Sequence, residues 1–123
     1  MNNIIIISNL PKSIVSSIAR AKEIMEKDIS RHIPIYELAR ASQTNEFTLK
    51  RYFKIIHLTT IYQHLLNERM KQANYLLTNS GLLEKEIAQQ CGFQCLSGFV
   101  SSYKKYYGIT PGQFRMSLFI KSA

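Results

Sequence analysis

Phe47, Lys50, Arg51 and Lys54 recur at three- and four-residue spacing, so on a helix they share one face that is both cationic and aromatic. Guanidinium and ammonium groups in such a row can donate hydrogen bonds to a polyanion, and a ring among them can pack on an apolar edge. Leu49, Tyr52, Phe53 and Ile56 lie on the opposite face and form the stripe expected to be buried. A second segment has the same build, with Phe99, Tyr103 and Tyr106 facing inward and Ser97, Val100, Ser101 and Lys104 facing outward. Each row has a plainer reading as well. Cations on a helix are often just a solvated face, Phe47 could belong to a satellite core, and Ser97 and Ser101 could be neutral surface.

Catalysis finds no foothold of this kind. His32, His57 and His64 have no metal-ligand spacing, and no nucleophile can be placed beside a base. Cys91 and Cys95 are four residues apart, with no second Cys pair and no His nearby, which excludes a zinc knuckle and a disulfide framework. No enzyme, metal or cofactor is therefore expected, and a reduced, cytoplasmic setting is the simplest one. Cys91, beside a turn, is expected to be a small buried residue.

The chain as a whole restricts the partner. It has 123 residues, enough for one domain or two small subdomains but too few for a sensor as well. Sixteen Lys and Arg against eight Asp and Glu leave a net charge of +8, which favours a polyanion through steering and counterion release. Ile4 to Ile7 is apolar but short, with neither the basic start of a signal peptide nor the length of a membrane span. Residues 1–12 are expected to be a flexible lead-in from an upstream region.

The elements that must hold the two rows in place are helical almost throughout. Ile14, Ile18, Ala21 and Met25 form the stripe of a first helix, with Ser13 as its cap, ending near Asp28. Pro34 opens a short helix with Ile35, Leu38 and Ala39, and Asn45 can cap the next one. A long helix should then run from about Thr59 to Leu77, with Leu66, Met70, Ala73 and Leu77 on one side, roughly 28 Å at 1.5 Å per residue. Ile87 and Ala88 start a repeat of the pattern, with Gly92 at its turn. Aligning Ala39 with Ala88 sets Phe53 opposite Tyr103, with one extra residue in the second copy. Two helix-turn-helix units joined by a rod follow from the periodicity alone, over residues 13–58, 59–78 and 79–123.

At this point the chain resembles the AraC/XylS family of bacterial transcription regulators, over about residues 14 to 119. The most specific residues are Glu86-Ile87-Ala88, Gly92-Phe93, Phe99, Tyr103-Lys104-Lys105, Gly108, Thr110-Pro111 and Arg115. Leu38-Ala39, Leu49, Phe53-Lys54, Arg69, Ala73 and Leu76-Leu77 fit upstream. The resemblance implies an all-α domain of seven helices, built as two homeodomain-like helix-turn-helix subdomains joined by a linker helix. It also implies sequence-specific binding of double-stranded DNA for transcription regulation, with one reader helix per unit in successive major grooves about 34 Å apart. RNA polymerase is implied as a second partner, and no membrane. Effector binding and dimerisation would belong to a sensor domain absent from this chain. An RNA-binding or protein-interaction module that reuses the fold is the alternative.

By the same resemblance, the base-reading positions are Phe47, Lys50 and Arg51 in the first unit and Leu96, Ser97, Gly98, Val100 and Ser101 in the second. Asn45, Lys54, Lys104 and Lys105 would contact phosphates. Arg51 or Lys50 suits guanine O6 and N7, and Phe47 a thymine methyl, so the first unit should dominate direct readout. The second should read weakly and hold the backbone. Three departures stand out. Gln43 occupies the first turn, and Leu58 follows the first reader helix, where the family usually has Gly. Cys95 stands where a capping Ser or Asp is common, which blurs the start of the second reader helix. Arg69, at the edge of the rod's stripe, is expected to have a structural hydrogen-bonding role.

Overall fold

The computed structural model describes residues 8–122, and these carry the helices α1 (Lys12–Lys27), α2 (Ile35–Ala41), α3 (Glu46–His57), α4 (Ile61–Asn79), α5 (Glu84–Gln90), α6 (Leu96–Tyr107) and α7 (Pro111–Ser122). The expected all-α class and its seven helices are both present. Residues 1–7, most of the expected lead-in, lie outside the described part. The chain forms two compact units that meet within α4, one up to Leu66 and the other from Asn67 on. None of the described helices is long and apolar enough to cross a membrane.

In the first unit the apolar stripes of three helices close on one another. Ile18, Ala21 and Met25 of α1, Leu38 and Ala39 of α2, and Leu49 and Phe53 of α3 form the buried core, with Ile14, Ile24, Ile33, Tyr52 and Ile56 packed around it. Ala39 is nearly inaccessible, as the crossing of α2 against α3 requires. Ser13 does not cap α1. The helix starts at Lys12, two residues before the start a Ser13 cap would set, with Pro11 at the cap position and its carbonyl accepting the N–H groups of Ile14 and Val15 at 3.1 and 3.2 Å. Asn45 does cap α3, its Oδ1 accepting the Thr48 N–H at 2.8 Å.

In the second unit Met70, Ala73, Leu76 and Leu77 of α4, Ile87 and Ala88 of α5, and Phe99 and Tyr103 of α6 are all buried. Arg115 of α7 closes the far end of α4. Its guanidinium donates to the carbonyls of Leu76 and Leu77 in the last turn of α4 and of Ser80 and Leu82 in the loop after it, at 2.7 to 3.4 Å.

The repeat extends to individual hydrogen bonds. Thr44 N–H donates to the Ala39 carbonyl, and Phe93 N–H to that of Ala88, both at 2.9 Å. Leu58 and Gly108, each left-handed, close their helices by donating to Lys54 and Lys104. Thr60 and Thr110 then cap α4 and α7, their hydroxyls accepting the N–H groups of Gln63 and Gln113. Gln113 returns the bond to the Thr110 N–H, completing a capping box. That Thr-x-x-Gln pattern stands in both copies, at Thr60-Gln63 and Thr110-Gln113.

Candidate nucleic-acid interface

On α3 the structure gathers the expected residues on one open face. Lys50, Arg51 and Lys54 are exposed, and Phe47 is 71% exposed, so it is no satellite of the core. The Arg51 guanidinium lies 6.0 Å from the Phe47 ring centroid and 5.7 Å from that of Tyr52. Those two rings limit where Arg51 can swing while leaving its donors outward. No ion pair among the described residues engages Lys50, Arg51 or Lys54. The Oδ1 of Asn45 is committed to its cap, so the side-chain NH₂ is the part able to donate to a phosphate.

The turn in front of α3 departs from the common pattern, and the backbone shows why it matters. Gln43 has φ 59 and Leu58 φ 61, left-handed values that normally select Gly. The equivalent positions in the second unit are Gly92 at φ 89 and Gly108 at φ 86. Both positions need positive φ in both units, and the first unit adopts it with side chains attached.

On α6 the outward face is shorter in reach. Leu96, Ser97 and Ser101 are exposed, Gly98 and Val100 are half-buried, and Lys104 and Lys105 are exposed in the last turn. The Ser101 hydroxyl donates to the Gly98 carbonyl at 3.3 Å, and Ser97 Oγ lies 3.3 Å from Cys95 Sγ. Both hydroxyls therefore have local partners already. The helix starts at Leu96 with Cys95 at the cap position, and the Ser97 hydroxyl holds the exposed Cys95 thiol below the ordinary thiol range. Cys91 is fully buried, and burial pushes its thiol up to about 11.

Behind α6 the aromatic stripe differs from the expected one in a single residue. Tyr103 is fully buried and its hydroxyl donates to Asn74 Oδ1. Tyr106 turns partly outward, with its hydroxyl donating to Asn67 Oδ1 at 2.8 Å. Asn67 and Asn74 were missed from sequence, where helical spacing alone gives a polar residue no assigned partner. Arg69 is buried, its guanidinium against Gly92 and 6.0 Å from the Phe93 centroid, consistent with a structural role.

A helix-turn-helix domain model matches residues 38–117. An AraC-type regulator from Chromobacterium violaceum superimposes with a TM-score of 0.74 at 26% identity, covering 81% of this chain and 89% of that one. The chain belongs to the AraC/XylS family. It is a helix-turn-helix DNA-binding domain of the transcription-regulator class.

Relatives of this AraC/XylS chain include the HTH-type transcriptional activator CfaD of Escherichia coli, 31% identical over 114 residues, 92% of this chain and 43% of CfaD. The activator RhaR of Salmonella schwarzengrund is 31% identical over 91 residues, 74% of this chain and 32% of RhaR. The chain thus spans less than half the length of these relatives. The DNA-binding domain of AdpA, solved with a target DNA, shares the fold at a TM-score of 0.80 and 21% identity, covering 86% of this chain and 96% of that one.

Proposed function

We propose that this chain binds double-stranded DNA sequence-specifically to regulate transcription, with α3 and α6 as reader helices in successive major grooves. The observation that carries the reading is the hydrogen-bonded repeat. It gives α3 and α6 equivalent places in their own units, each with one stripe buried and the opposite one open.

In this reading Arg51 and Lys50 donate to guanine O6 and N7, and Phe47 packs on a thymine methyl. Leu96, Ser97, Gly98, Val100 and Ser101 meet bases with short side chains and discriminate little. Asn45, Lys54, Lys104 and Lys105 grip phosphates. Residues 59–78 act as the linker between subdomains 13–58 and 79–123. Binding takes place in the cytoplasm, with RNA polymerase as a second partner. Effector sensing and dimerisation fall to a sensor domain outside these 123 residues.

A gel-shift series with upstream regions of the source genome tests this. At least one fragment should survive a roughly hundredfold excess of random duplex. Equal competition by random DNA, or equal affinity for single-stranded RNA, would overturn it.

A further inference from the structure

We infer that Asn67, Arg69 and Asn74 of α4 are positioning residues that set how the second reader helix is presented to DNA. The inference rests on the proposed reading only in that α6 enters a groove.

Asn67 and Asn74 are two helical turns apart and so lie on one face of α4. They accept the hydroxyls of Tyr106 and Tyr103, which are neighbours on one face of α6. One such bond would leave α6 free to roll or slide about it. Two bonds at different heights fix its rotation and its position along the axis together. Arg69 completes the set from the same helix by filling the space under the turn that leads into α6, against Gly92 and Phe93.

The repeat shows that these ties are particular to the second unit. The positions equivalent to Tyr103 and Tyr106 are Phe53 and Ile56, which have no hydroxyl to donate. In the first unit α1 takes the place of α4. The same register that gives Met70, Ala73 and Leu77 gives Ile18, Ala21 and Met25, and it sets Ser17 opposite Arg69, each 8% exposed. Val15 and Lys22 then fall opposite Asn67 and Asn74.

The difference suits what each helix has to do. Lys50 and Arg51 are long and can follow a base edge if the backbone shifts. Ser97, Gly98 and Ser101 cannot, so an α6 that reads with them must be held in one pose. Directional hydrogen bonds hold a pose more strictly than apolar packing, which is indifferent to direction.

The test is the Tyr103→Phe/Tyr106→Phe double variant, which deletes two hydroxyls and keeps the rings. Tyr106→Phe alone serves as a second variant should the double one fold poorly, since Tyr106 is partly exposed. Amide hydrogen exchange on free protein is expected to quicken about tenfold along α6 and stay unchanged along α3. On a duplex that the parent chain selects from a random pool, scrambling the second half-site should carry a small but measurable cost for the parent and a still smaller one for the variants. Affinity for the first half-site alone should be unaltered, an outcome that a general loss of stability would not produce. Unchanged exchange along α6, or undiminished second-half discrimination, overturns the inference. If the parent chain itself selects no site, the functional reading falls and the exchange result still decides this one.

Discussion

A Cβ added to Gly92 would stand 2.8 Å from a guanidinium nitrogen of Arg69, nearer than a carbon and a nitrogen can pack. Gly92 also has φ 89, so two independent penalties meet at one residue. Gly92→Ala is expected to destabilise the domain by roughly 2 to 4 kcal/mol, the left-handed cost and the crowding cost together. In an Arg69→Ala background the same change should cost only the backbone part, about 1 to 2 kcal/mol. Urea unfolding of the four proteins measures the difference, and strictly additive costs would show that Arg69 does not restrict the turn.

The first unit offers the opposite experiment. Gln43 and Leu58 hold left-handed φ with a Cβ present, and Leu58 is 72% exposed, so its side chain gains little from burial. Glycine removes the local strain of about 1 to 2 kcal/mol but adds unfolded-state freedom of about 0.4 to 1 kcal/mol. Leu58→Gly and Gln43→Gly should therefore each stabilise by about 0.5 to 1 kcal/mol. A lowered melting temperature in either variant would contradict this balance.

What the sequence disclosed depended on whether the information was periodic. The stripes of Leu49 and Phe53, or Phe99 and Tyr103, are written in local spacing, and the fold follows from burying them. The two small residues Ala39 and Ala88 fixed the alignment of the copies, and the shared turn bonds confirm it. The pairing of Tyr106 with Asn67, 39 residues away, is not periodic and had to be seen in three dimensions. The start of α1 was misplaced for a related reason, since Ser13 looks like a cap while Pro11 ahead of it holds the cap position. Cations on an open face were legible as such, but a role in reading bases is not written in spacing and came from family resemblance.

Arg51 and Lys104 should fail in different ways when removed. Arg51 sits on the long-reaching face of α3, so Arg51→Ala should lose about 1 to 3 kcal/mol of discrimination between a selected site and a single-base variant of it. Lys104, in the last turn of α6, should act on phosphate, so Lys104→Ala should weaken all duplexes alike and reduce the salt slope by about one unit. Fluorescence anisotropy across a salt series, with matched and mismatched sites, separates the two. Equal loss of discrimination in both variants would remove the assigned division of labour.

His57, the last residue of α3, gives the first unit a dependence on pH. Its Nε2 is buried and has no hydrogen-bond partner among the described residues, and its ring packs 4.6 Å from Phe53 and 6.2 Å from His64, centroid to centroid. Desolvation holds its pKa below the ordinary 6.5, and the charges of Lys22 and His64 push the same way, while Glu26, which accepts from His64 Nε2 or pairs with it at 3.0 Å, opposes them. A histidine whose folded pKa is depressed contributes stability that is complete above its unfolded pKa and is lost as pH falls from there through the folded value. The domain should therefore lose stability as pH drops below about 6.5, because the unfolded chain takes up the proton more readily than the folded one. His57→Phe keeps a ring against Phe53 and removes the titrating group, so its urea midpoint should vary less between pH 7 and pH 5 than that of the parent chain. An equally steep dependence in the variant would place the pH sensitivity elsewhere in the unit.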